Sequence, residues 1–326
     1  MTVASRFSDA AGSTYKWAVE YLCERLNVEP TFIVVSGYKD EDISVFQSTL
    51  VNHYDFAIIG CDVESIVKLF QDASIPVITF GVTSKAQELA AYDCWLGSVG
   101  IDEYACTAEG ARTLYEDHGC RNFMWCGMPV GASKVHDLRT AGFEDYVRGR
   151  DDAELVVESL VYPGWPEAIS AACASYPEID AIGVSGLNEA IYNCIVSEGL
   201  EGYVKVVGSN VSEYTGDAFD AGYLVCASAG DYVQLQIAFL VAWNYALTGE
   251  NLIGDRTDPL LFKNVIVHNR EEYDEYVLYF RADAPVFDEG DILEMCTLFH
   301  PEFSSEDLRS LGSTFGLPYV TSKLSK

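Results

Sequence analysis

Two apolar runs in this 326-residue chain end in small or polar residues that could line a binding site. Residues 179–184 run into Ser185-Gly186, and residues 204–207 run into Gly208-Ser209-Asn210. Between them an amphipathic stretch begins near Asn188 at helical spacing. Strand, turn, helix, turn, strand is a βαβ unit, and in open α/β sheets the ligand lies beyond the carboxyl ends of the strands. These residues therefore point to a binding crevice, where the Asn210 amide can both donate and accept hydrogen bonds.

Residue types that catalyse are present but not assembled. The stretch GVSG (183–186) lacks the last glycine of a GxSxG elbow, and neither GxGxxG nor a Walker A sequence occurs. The five histidines, His53, His118, His136, His268 and His300, are scattered. His136 lies close to the candidate segment 131–139 but reads as a loop histidine. No nucleophile, base and orienting group come together, so the chain reads as a binding protein and not as an enzyme. The ten cysteines include no CxxC and no Cys/His cluster with zinc spacing, so neither a metal nor a cofactor is expected. Cys61, Cys126 and Cys226 fall in or beside strand-like runs, and Cys23, Cys173 and Cys194 on helix-like stretches. Buried free thiols are the default for such positions. Cys94, Cys106, Cys120 and Cys126 crowd one region, and spacing alone leaves a disulfide there open.

Composition sets the class. The chain is 49% hydrophobic and 21% charged, which is globular and not disordered. Fifty acidic residues against 20 basic ones give a net charge of −30, a field that repels phosphate backbones and excludes nucleic acid as a partner. No stretch reaches the roughly 18 apolar residues of a spanning helix, and the apolar run 237–243 is a core helix by its length. No charged n-region followed by an apolar h-region opens the chain, while residues 1–5 already read as a first strand. Either a cytoplasmic protein or one whose leader is absent from this sequence fits that start.

Strand-like and helix-like runs then alternate. Residues 31–35, 56–59, 75–80, 122–126, 154–161 and 224–228 extend, whereas 12–26, 63–70, 104–118, 165–175 and 232–247 carry apolar residues at helical spacing. Roughly ten strands alternating with helices predict an α/β protein with parallel sheets. That is more than one compact sheet of this size holds, so two lobes are expected.

The order of five segments resembles the type 1 periplasmic binding proteins, whose relatives include the effector domains of lactose-repressor-type regulators. These are IPVITFG (75–81), LGSVGIDEYACTAEGARTL (96–114), RTAGFEDYV (139–147), YPGWPEAISAACASYPEIDAIGVSGLNEA (162–190) and VKVVGSN (204–210). The resemblance covers about residues 2–270. It implies two Rossmann-like lobes with parallel sheets joined by three crossovers, with a ligand in the cleft between them and hinge closure around it. It places lobe 1 at 1–99 and 231–260, lobe 2 at 100–230 and 261–270, and a C-terminal extension at 271–326.

The resemblance also implies a site. Trp165 stands where many sugar-binding members put a stacking aromatic, and Arg139 opens the RxxGF pattern whose guanidinium reaches the cleft. Phe7, Ser8 and Asp9 follow the first strand in a ligand-contacting loop, where Asp9 also suits a helix cap. Asn210 takes the place of a common aspartate, and Asn188 is the surviving member of a usual Asn-Asp pair, here Leu187-Asn188. Phe80, followed by Gly81, stands where a polar pair is frequent. Ala229 replaces a frequent glutamine, for which Asp231 could compensate. The loss of these polar readers implies a solute that is less hydroxylated, modified, or not a simple sugar.

The expected function is that of an extracytoplasmic solute-binding protein, periplasmic or a cell-surface lipoprotein, serving an ABC-type importer. It would be a monomer that binds a sugar, polyol, nucleoside or related solute and meets a membrane permease. The alternatives are the effector domain of a transcription regulator lacking its headpiece and a sensor ectodomain. Residues beyond 271 are rich in aromatics (Tyr273, Tyr276, Tyr279, Phe280), with helical stretches at 288–299 and 304–311 and a cap signal at Ser304-Ser305-Glu306-Asp307.

Overall fold

The computed structural model describes residues 1–5, 10–35, 42–60, 62–280 and 285–324. Its strands are β1 (Thr2–Ser5), β2 (Thr31–Val34), β3 (Ala57–Ile59), β4 (Val77–Phe80), β5 (Trp95–Ile101), β6 (Asn122–Cys126), β7 (Glu154–Ser159), β8 (Ala181–Val184), β9 (Lys205–Ser209), β10 (Leu224–Ala229), β11 (Leu260–Phe262) and β12 (Val265–Val267). Its helices are α1 (Ala10–Arg25), α2 (Ile43–Thr49), α3 (Glu64–Asp72), α4 (Ala86–Leu89), α5 (Glu103–Arg112), α6 (Lys134–Arg148), α7 (Trp165–Ser175), α8 (Glu189–Ser197), α9 (Thr215–Asp220), α10 (Val233–Thr248), α11 (Arg270–Phe280), α12 (Glu289–Glu294), α13 (Ser305–Thr314) and α14 (Leu317–Leu324).

These elements form two compact units. The first holds Met1–Ile101, Asp231–Phe262 and Phe280–Thr314, and the second holds Asp102–Gly230, Lys263–Tyr279 and Phe315–Lys326. In the first, the strand order is β11-β5-β4-β3-β1-β2 with every pairing parallel. Strands such as β4 (VITF) are buried at every position, which follows from helices covering both faces of a parallel sheet. Helix α3 turns Ile66, Val67 and Phe70 inward, at the spacing of one helical face.

The second unit has the order β12-β10-β9-β8-β6-β7. All its pairings are parallel except β12, which runs antiparallel to β10 at the sheet edge. An antiparallel edge strand on an otherwise parallel sheet is a common arrangement. Strands β11 and β12 have three residues each, too few to show a period in sequence. The helical stretch expected at 104–118 is α5 followed by a π-helical turn over Thr113–Asp117.

Residues 271–326 are divided between the units and do not form a body of their own. Two amides on α10 explain how the first unit holds its share. Gln236 and Asn244 are wholly buried in a helix that is mostly apolar. Gln236 Nε2 donates to Phe287 O at 2.6 Å, and Asn244 Oδ1 accepts from Thr297 N at 2.8 Å and from its hydroxyl at 3.0 Å. Buried polar groups must find partners, so these amides specify where the tail lies. The cap signal at Ser304 is realised: Ser304 N donates to Asp307 Oδ2 at 3.0 Å, and Asp307 N donates back to Ser304 Oγ at 3.3 Å.

Gln236→Leu removes the hydrogen bonds between this amide and the Phe287 backbone, and it should lower stability by about 1–3 kcal/mol. Hydrogen exchange should then rise across residues 285–299. Protection unchanged there would show that the amide does not hold the tail.

Candidate ligand site

Helix α6 packs closely on α5 because Gly142 carries no side chain; a Cβ there would run into the Tyr104 carbonyl and Thr107. Thr107 Oγ1 donates to Arg139 O at 2.8 Å across the same contact. This approach sets a buried ion pair. Arg139, 5% exposed, donates from Nε to Glu103 Oε2 at 2.7 Å and from Nη2 to Glu103 Oε1 at 2.9 Å. Glu103 is the first residue of α5, where the helix dipole favours a carboxylate. The third guanidinium nitrogen, Nη1, donates to Ser185 O at 2.7 Å, at the carboxyl end of β8. His136, one turn before Arg139 on α6, shares a 2.6 Å hydrogen bond between Nδ1 and Ser185 Oγ. His136 is thus a helix residue at the strand end and not a loop residue.

The next residue, Gly186, is where two expected site residues meet. Trp165 opens α7, and its indole Nε1 donates to Gly127 O at 2.8 Å, just past β6. Tyr162 lies edge-on to the indole at 5.0 Å between ring centres. Asn210, exposed, leaves β9 with φ +75°, a left-handed conformation that asparagine tolerates better than most residues. A Cβ built on Gly186 would lie 3.6 Å from Asn210 Nδ2 and 3.7 Å from the Trp165 ring. The exposed Asn188 commits its side-chain oxygen to the start of α8, accepting from Ile191 N at 3.1 Å.

In the first unit, Phe80 ends β4 and meets Tyr15 of α1 edge-on, with ring centres 5.7 Å apart. Tyr15 OH donates to Asp231 Oδ2 at 2.8 Å and accepts from Gln234 Nε2 at 3.3 Å. Beyond β3 and β4, Thr83 Oγ1 donates to Asp62 Oδ2 at 2.8 Å. Tyr15 therefore brings together Phe80 and Asp231. Phe7, Ser8 and Asp9 lie outside the described residues. Among the described residues no group of three His, Cys, Asp or Glu side chains is placed to hold a metal ion.

Sequence reasoning did not single out Tyr15 or Glu103 as members of these clusters. Tyr15 reads as one apolar position of a helical face, and its hydroxyl is the only signal of a second role. Chemically, the second unit's cluster combines a buried indole, an exposed amide and a buried arginine whose charge is matched by Glu103. That combination suits non-covalent recognition of a neutral polar solute.

No family model matches the sequence, and no curated protein matches it. Solved structures do. A solute-binding protein of an ABC transporter from Actinobacillus succinogenes with bound D-allose aligns with a TM-score of 0.70 at 17% identity, over 84% of this chain and 98% of that one. One from Bacillus halodurans with bound myo-inositol aligns at 0.67 and 18% identity, over 84% and 95%. A galactofuranose-binding protein aligns at 0.68 and 15% identity, over 84% and 96%. The chain has the fold of the type 1 periplasmic binding proteins, two α/β lobes each built on a six-stranded sheet.

Glu103→Ala strands a buried guanidinium, so it should destabilise the second unit by about 3–5 kcal/mol. Denaturant unfolding followed by tryptophan fluorescence measures this. A loss under about 1 kcal/mol, the range of a surface pair, would mean the ion pair is not the anchor described here.

Proposed function

We propose that the protein is an extracytoplasmic solute-binding protein that captures a sugar or sugar-like solute and delivers it to the permease of an ABC-type importer. The observation that carries this reading is the meeting of Trp165 and Asn210 at Gly186, beyond the carboxyl ends of β8 and β9. Open α/β sheets bind ligands at such strand ends. An aromatic surface suits the C–H face of a sugar ring, and an amide suits its hydroxyls. The fold shared with solute-binding proteins across most of the chain supports the same conclusion.

The chemistry narrows the solute. Arg139 is matched by Glu103, so it offers no unbalanced positive charge to a carboxylate or phosphate. The chain's net charge of −30 also disfavours anions. The solute is therefore neutral: a monosaccharide in furanose or pyranose form, a polyol such as an inositol, or a nucleoside. The candidate ligand contacts are Trp165, Asn210, Arg139 and Asn188 on the second lobe, and Phe80, Asp231, Phe7, Ser8 and Asp9 on the first. The protein works as a monomer whose lobes close on the ligand by hinge bending, and it carries out no reaction.

A thermal-shift screen against monosaccharides, polyols, nucleosides and amino acids tests the reading, because a ligand that binds only the folded state raises Tm by mass action. One neutral class should stabilise the protein. A flat response to every class, with no small molecule released on denaturation, would overturn it. Gly186→Ala then probes the site itself. The methyl group fits at ordinary contact distance, so the fold should survive, but it fills the space between Trp165 and Asn210. Affinity should drop by about 10-fold or more, the scale of a misplaced methyl group in a fitted pocket. Unchanged affinity would move the ligand elsewhere.

A further inference from the structure

Helices α7 and α8 cover one face of the second unit's sheet and carry a thiol each. Cys194 of α8 is buried, and its Sγ lies against α7, 3.3 Å from Pro166 O and 3.6 Å from Ser170 Oγ. Pro166, Ser170 and Cys173 recur at four- and three-residue intervals, so they share one face of α7. Cys173 is thus the next side chain, one turn along, on the face that Cys194 touches. It is half-buried where Cys194 is covered, so a reagent arrives at Cys173 first.

We propose that Cys173 and Cys194 are a thiol pair that exchanges with small-molecule disulfides to form a bridge between α7 and α8. The Cys173 thiolate attacks one sulfur of the reagent disulfide, forms a mixed disulfide and expels one thiolate. The Cys194 thiolate then attacks the Cys173 sulfur, forms the bridge and expels the second thiolate. Two protein thiols are oxidised, the reagent disulfide is reduced to two thiols, and the protons lost by the cysteines pass to the expelled thiolates. Burial holds both thiols above their ordinary pKa, and each of Cys173 and Cys194 also lies in the field of nearby acids such as Glu198. The thiolate is the nucleophile, so exchange is slow near neutrality and quickens as pH rises. Cys126, at the end of β6 beneath the two helices, is fully buried and its thiol is likewise pushed up by burial.

The test treats the native protein with oxidised glutathione at several pH values, quenches with iodoacetamide and maps peptides without reduction. The expected product links the Cys173 and Cys194 peptides, lighter by two hydrogens than the separate pair. Its rate should rise by about tenfold per pH unit below the thiol pKa. Cys106 and Cys226, buried elsewhere in the same unit, should stay unmodified and so certify that the protein remained folded. Cys194→Ser should stop at the glutathione adduct on Cys173, and Cys173→Ser should give no bridge. The proposal fails if the folded wild-type protein stops at that adduct, or if Cys173 bridges to Cys126 instead. Wild-type mapping decides the matter even if a variant does not fold.

Discussion

The second unit is organised around one buried charge pair. Removing a guanidinium and a carboxylate from water is costly, and the attraction between them offsets that cost only with good geometry and every donor used. Here Glu103 takes two of the Arg139 nitrogens and the Ser185 carbonyl takes the third. One side chain therefore fixes α6 to the start of α5 and both to the end of β8. The placement of Ser185 sets that of Gly186, the residue that both the indole of Trp165 and the amide of Asn210 approach. The missing side chain at Gly142 is the precondition, since α6 could not otherwise come this close to α5.

Much of the fold is legible in the sequence because its signals are local. Apolar runs of four to seven residues ending at glycine or a polar residue mark strands, and helical spacing between them marks the crossovers. Strand β5, inside a segment that stands out as a motif, and the three-residue strands β11 and β12 lack such a signal. Trp165 and Asn210 are also legible as residue types at strand ends. Their convergence is not, because it depends on the register between β8 and β9, in which Val184 pairs with Gly208. Nor is the partner of Arg139 legible. Glu103 lies 36 positions away, and in sequence it is one acidic residue among fifty.

The C-terminal segment shows the same division between local and distant signals. Its helix starts are written in the chain, as the reciprocal hydrogen bonds between Ser304 and Asp307 attest. Its location is written elsewhere, in Gln236 and Asn244, two wholly buried amides on a mostly apolar helix. Their partners are backbone groups some fifty positions later, at Phe287 and Thr297. A polar residue on a buried helix is a request for a partner, and the sequence does not say who answers.

That dependence has a consequence for how the chain is made. The first unit begins at Met1 but takes in residues as late as Thr314. As the chain emerges in order from the ribosome, its opening strands are exposed long before the amides of α10 meet their partners. The first unit is therefore completed by a segment synthesised long after its opening strands. Such distant closures raise contact order and slow folding, and they leave the opening strands of the nascent chain uncovered in the meantime.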